Sequence, residues 1–183
     1  MDSTDGGILK LYKRNKHQGL ELLYERYKKY VYTIAFHYTG NQEDALDLTQ
    51  EVFIAIFKSL DTFKESFSLL PWVKRITINK CLNFNRDKKV AVPLEEEELD
   101  LPSSRENTES GVFYRDTRES LIRAINKLPA NERLAIILRH MKNMKYEEIA
   151  KVMNLPLGTV KTYLHKARKS LKKSMTEDGV WEA

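Results

Sequence analysis

Lys161, Thr162, His165, Lys166 and Lys169 recur at the spacing of one helix face, with Arg168 at its edge. Cations, a hydroxyl and an imidazole on one face suit phosphate oxygens and base edges, which is recognition chemistry rather than bond making. The opposite face repeats Val160, Leu164, Ala167 and Leu171 at i, i+4, i+7 and i+11, a stripe made to be buried. Just upstream, YEEIAKVM places Ile149, Ala150 and Met153 on an inward face. Ala150 is small enough for a second helix to cross closely. Asn154 accepts the left-handed backbone of a tight turn, and Pro156 and Gly158 fit the first turn of the next helix. A helix, a tight turn and a basic helix in this order suit a DNA major groove.

Some 140 residues precede this module, and they carry two further surfaces. NQEDALDLTQEVFIAIFKSL has one apolar stripe for its own core. A second face bears Asp44, Asp47, Gln50, Glu51, Ile54 and Lys58, close to Phe53 and Phe57. An acidic strip beside apolar groups suits a basic, helical protein partner and repels DNA. After it, TFKESFSLLP sets Phe63 and Phe67 among small polar groups. WVKRITINKCLNFNRDKK then mixes cations with Asn79, Asn83 and Asn85. Aromatic and polar groups beside a basic helix can hold unstacked bases.

Catalytic signatures are missing. His17, His37, His140 and His165 have no ligand-like spacing, and no phosphate loop, GxSxG or HExxH occurs. The sequence makes no case for an enzyme, and no cofactor or metal is expected.

The elements that must position these groups read as helices throughout. Leu20, Leu23, Tyr27, Val31 and Ile34 trace one stripe, broken at Gly40-Asn41. Asn41 with Asp44 signals a new helix carrying Ala45, Leu48, Val52, Ala55, Ile56 and Leu60. DTFKESFSLL reads as a loop, and Pro71 opens a third helix that runs to about Arg86. The segment 89–114, with Pro93, Pro102 and the run EEEE, has little to bury and reads as an acidic flexible linker. Periodicity resumes with Leu121, Ile122, Ile125 and Leu128, stops at Pro129, and resumes with Leu134, Ile137 and Leu138. The fold class is all-α: two small helical domains, loosely tethered when free, with mobile residues at both ends.

Charge alternates along the chain: basic from Lys74 to Lys89, acidic from Val92 to Ser110, basic again after Arg118. With a net charge of +5, this points to nucleic acid met by two separate surfaces. No apolar run spans a bilayer and no signal peptide is evident, so direct membrane insertion is not expected. A single cysteine, Cys81, favours a reducing, cytoplasmic setting.

LLYERYKKYVYTIAFHYTGNQEDALDLTQEVFIAIFKSL, PWVKRITINKCLNFNRDKK and INKLPANERLAIILRHMKNMKYEEIAKVMNLPLGTVKTYLHKARKSL together resemble an extracytoplasmic-function (group IV) sigma factor of the sigma-70 family. The resemblance runs from about Gly19 to Lys173. It implies a region 2-like domain at 8–88 and a region 4-like helix-turn-helix domain at 115–175, joined by the linker. Asp44, Asp47, Gln50, Glu51, Phe53 and Ile54 would bind the β′ clamp of core RNA polymerase, which the chain would meet through its β′ and β subunits. The promoter −10 element would be recognised and melted by Phe63, Lys64, Ser66, Phe67, Lys74, Arg75, Asn79, Lys80, Asn83, Arg86 and Lys88. Thr159, Lys161, Thr162, His165, Lys166, Arg168 and Lys169 would read the −35 element. An anti-sigma factor is the expected regulator. FKESFSLLPW is less polar than the loop of many family members, and Pro71 alters the entry to the third helix. The alternative is an autonomous helix-turn-helix regulator, which predicts a dimer on a palindromic duplex. An enzyme acting on nucleic acid would need carboxylates outside the linker.

Overall fold

The computed structural model describes residues 4–63, 68–88, 117 and 120–179, and all regular structure among them is helical. Helix α1 (Asp5–Arg14) is capped by Thr4, whose hydroxyl accepts from the Gly7 N–H at 3.2 Å. It turns sharply into α2 (Lys16–Thr39) at Asn15, whose side chain caps the new helix by accepting from the Gln18 N–H. The corner is tight because Gly19 lies on the Tyr12 backbone, where a Cβ would collide. Helix α2 stops at Gly40, in the left-handed region at φ 85°. Asn41 starts α3 (Gln42–Ser59) by accepting from the Asp44 N–H at 2.8 Å.

A 3₁₀ turn at Leu60–Thr62 follows, then α4 (Leu69–Lys88). Helix α4 begins two residues before the expected start at Pro71. The reason is remote: the Asp5 carboxylate in α1 accepts from both the Leu69 N–H and the Ser68 hydroxyl at 2.9 Å. Pro71 then falls in the first turn, where its missing N–H costs nothing. From Asp5 on the N-terminal residues are helical, and Ile8 and Leu9 join the core, while residues 1–3 lie outside the described residues. Ile8, Leu23, Val31, Ile34, Leu48, Val52, Ile56 and Val73 are fully buried at the centre of this half.

The second half consists of a helical segment at 120–126 (α5), α6 (Ala130–Met141), α7 (Tyr146–Met153) and α8 (Leu157–Glu177). Its core holds Leu134, Ile137, Leu138, Ile149, Val160, Leu164 and Ala167. The linker at 89–114 lies outside the described residues. The expectation of loosely tethered halves is corrected here. Helix α6 packs on both α2 and α4, α7 packs on α4, and buried residues of both halves form one contiguous cluster. Periodicity within each half could not reveal this, because a buried stripe does not say which helix covers it. Among the described residues no helix is long and apolar enough to cross a membrane.

Candidate nucleic-acid and protein interfaces

The turn between α7 and α8 depends on one residue. Asn154 adopts φ 54° and ψ 48°, and its N–H and that of Leu155 both reach the Ala150 carbonyl. Glu148 reaches back to accept from the Lys145 N–H at 2.7 Å, fixing the start of α7. The angle so set buries Val160, Leu164 and Ala167 and exposes Lys161, Thr162, His165, Lys166, Arg168 and Lys169. Thr159 is half-buried beside them. The exposed face continues with Lys172 and Lys173, so it is cationic along its length. Arg168 donates to the Tyr146 hydroxyl at 3.1 Å, which ties this edge of α8 to α7.

On α3, Asp47, Gln50, Glu51 and Ile54 are exposed and Asp44 is half-buried. Ile54 is 51% exposed, and Leu46, one turn before Gln50, is 46% exposed. Two large aliphatic groups thus stand open to solvent beside the carboxylates of this face. Leu46 was missed in the sequence, although its spacing of four to Gln50 and eight to Ile54 puts it on the same face. Phe53 differs from its neighbours. It is buried, with its ring 4.8 Å from Tyr24 and 5.8 Å from Phe57, so it supports the strip from beneath rather than offering a surface.

The strip adjoins α4 directly: Lys80 pairs with Glu51 at 3.0 Å. Arg75, Asn79 and Asn83 are exposed along α4, and Lys74 and Lys80 are half-buried. Phe63 sits against Trp72 with ring centroids 4.9 Å apart, both partly packed on the core. Lys64, Ser66 and Phe67, and the side chains of Arg86 and Lys88, lie outside the described residues. Cys81 is fully buried, and burial pushes its thiol well above the usual range, so it is inert at neutral pH.

A groove of about 690 Å³, built mainly by the second half with His37 of α2 beside it, was not foreseen. Leu121, Ile122, Ile125, Ile136, Met141, Leu171 and Met175 line it, with His37, His140, Arg168 and Lys172 around the rim. Burial lowers the His140 pKa, and Arg168 and Arg139 add to the effect. Its apolar residues come from three helices, so no single stripe in the sequence announces it. No group of three metal-ligating side chains occurs among the described residues.

Two helical units, one with an acidic strip beside a cationic helix and one a basic helix-turn-helix, define the region 2 and region 4 architecture. The Sigma-70 region 2 family model matches residues 23–90, and the Sigma-70, region 4 model matches residues 118–171. The chain belongs to the sigma-70 family of RNA polymerase sigma factors, in the extracytoplasmic-function (ECF) group. It is 34% identical over 146 residues to the ECF RNA polymerase sigma factor SigE of Mycolicibacterium smegmatis, covering 78% of this chain but only 56% of that relative. The ECF RNA polymerase sigma-E factor of Escherichia coli is 28% identical over 177 residues, 92% of each chain. Among solved structures, the Bartonella quintana sigma factor RpoE in complex with the anti-sigma factor NepR superposes with TM-score 0.67 at 20% identity. That match covers 85% of this chain and 96% of RpoE. CnrH in complex with the cytosolic domain of CnrY gives TM-score 0.66 at 20% identity, covering 97% and 99%. These two likenesses establish the shared fold.

Proposed function

We propose that this sigma factor directs promoter-specific initiation by joining core RNA polymerase through α3 and reading DNA through α4 and α8. The observation that carries the reading is the separation of faces: acidic and aliphatic groups on α3, cations on the exposed sides of α4 and α8. Asp44, Asp47, Gln50, Glu51 and Ile54, with Leu46 beside them, form the contact for the β′ clamp. Residues 8–88 serve core binding and the −10 element, 89–114 form the acidic linker, and 115–175 serve the −35 element. Arg75, Asn79 and Asn83 meet single-stranded bases and backbone. Lys161, Thr162, His165 and Lys166 face the major groove, where the two lysines also meet phosphates, with Arg168 and Lys169 beside them towards phosphates.

Docking on polymerase fixes the separation of the two DNA-reading surfaces, and the linked pair then binds with an affinity neither surface has alone. Capture of unstacked bases offsets a melting cost on the order of a few kcal/mol per step. An anti-sigma factor fits the apolar groove. Its cationic rim suits an amphipathic helix with acidic flanks, and two of the similar structures are complexes with anti-sigma factors.

The test is transcription in vitro with core RNA polymerase and a fragmented genomic template, followed by mapping of transcript starts. Discrete starts sharing two upstream elements are expected. No stimulation, together with a dimer that binds a palindromic duplex unaided, would replace this reading with that of an autonomous regulator.

A further inference from the structure

The connection from α3 to α4 has two stems, and α1 holds both. At the far stem, the Asp5 carboxylate in the first turn of α1 accepts from the Ser68 hydroxyl and the Leu69 N–H at 2.9 Å. It also accepts from the Tyr27 hydroxyl at 2.7 Å, with the Arg26 guanidinium at 3.4 Å. At the near stem, Asp61 in the 3₁₀ turn accepts from the Tyr12 hydroxyl at 2.7 Å and from the Lys16 ammonium at 3.2 Å. Burial and the bond to Asp5 push Tyr27 up to about 12, and the bond to Asp61 raises Tyr12, so both phenols stay protonated donors at neutral pH.

Asp5 and Tyr12 lie two turns apart on one face of α1, about 10 Å along its axis. The helix therefore works as a strut whose length sets the spacing of the stems. It is itself firmly seated. Ile8 and Leu9 are buried beneath it, and Gly19 of α2 lies on the Tyr12 backbone. An exposed pair such as Lys16–Asp61 adds little to stability, so its main contribution is orientation. The Sigma-70 region 2 match begins at residue 23, so α1 and its corner with α2 precede the matched segment.

Just inside the stems stands the surface assigned above to the −10 element. Phe63 follows the 3₁₀ turn, and its N–H reaches the Leu60 carbonyl at 3.1 Å. Its ring meets Trp72 in the first turn of α4, with centroids 4.9 Å apart. Lys74 and the exposed Arg75 follow within the next turn. Groups on both sides of the connection must meet one strand at once, so small errors in their spacing weaken every contact together. Capture by stems already in place also avoids the entropy cost of ordering them on binding.

We propose that Asp5 and Tyr12 are positioning residues for the −10 element, a role that rests on the sigma reading above: through them α1 holds Phe63 and the start of α4 in register for the melted strand. The test uses holoenzyme assembled from core RNA polymerase and the full chain, with two probes taken from a mapped start. One is the duplex promoter with 2-aminopurine in its −10 element, whose fluorescence rises on unstacking. The other is the single-stranded non-template oligonucleotide of that element. Asp5→Ala should slow the fluorescence rise and weaken oligonucleotide binding about five- to tenfold, with core affinity and −35 duplex binding within about twofold of wild type. Asp5→Asn keeps a carbonyl oxygen for the Leu69 N–H and should fall between the two. Tyr12→Phe removes one hydroxyl and leaves the ring in place. It should give the same selective loss, about threefold, and it reads the same strut if Asp5→Ala does not fold. Unchanged oligonucleotide binding by the variants that fold would overturn the proposal. So would losses of equal size in core, −35 and oligonucleotide binding, which mark a general structural role. Absence of any mapped start with the wild-type chain would overturn the sigma reading itself, and this role with it.

Discussion

Lys161 and Lys166 stand on the exposed face of α8 with no ion pair among the described residues, so their charge is available to a polyanion. Each phosphate contact releases counterions and adds about 0.9 to the slope of log affinity against log salt. Replacing both (Lys161→Ala with Lys166→Ala) should therefore lower the slope for a −35 duplex by about two, measured by titration across salt concentrations. An unchanged slope would remove them from the phosphate-binding set. Lys80 is in a different position. It is held by Glu51, a residue assigned to polymerase contact, in an exposed pair worth at most about 1 kcal/mol. A bond that weak is easily exchanged when a partner takes Glu51, which frees Lys80 for DNA.

At the scale of elements, local chemistry explains most boundaries. Asn41, Asn154 and Gly40 sit where their turn chemistry requires, and the stripes of α2, α3 and α8 are buried as their spacing implies. The start of α4 was not legible, because its cap is Asp5, more than sixty residues away. The groove was illegible for a similar reason, being shared among helices. Asp5 also gives α4 a pH dependence. Burial works against its charge, but hydrogen bonds from Tyr27, Ser68 and the Leu69 N–H, with Arg26 nearby, hold its carboxyl below the ordinary value. A depressed folded pKa stabilises fully above the unfolded value, about 3.9, and the contribution is lost as pH falls through the folded value. Asp5→Asn should melt below wild type at pH 7, and the gap should narrow below about pH 4 in thermal melts followed by circular dichroism. A gap independent of pH would show that the carboxylate's charge is not what holds the junction.

On the proposed reading the whole molecule holds two partners at three surfaces: polymerase on α3 and DNA on α4 and α8. Gln50→Ala with Glu51→Ala should weaken core binding about tenfold or more and leave helicity and −35 duplex binding unchanged, because the two surfaces lie on different halves. Equal core affinity in a well-folded double variant would move the docking face elsewhere.

The contact between the start of α6 and the end of α2 has a consequence for how such proteins are compared. Arg133 bonds only to main-chain carbonyls. Almost any residue at position 38, 126 or 128 supplies the same acceptor, so the arginine has no side chain with which to covary. Only its weaker stacking on the Tyr38 ring, 5.8 Å from the centroid, would leave a trace. Relatives could keep this contact while sharing no matched pair of residues across it. Statistical searches for coupled positions would then pass over this bond between the two halves.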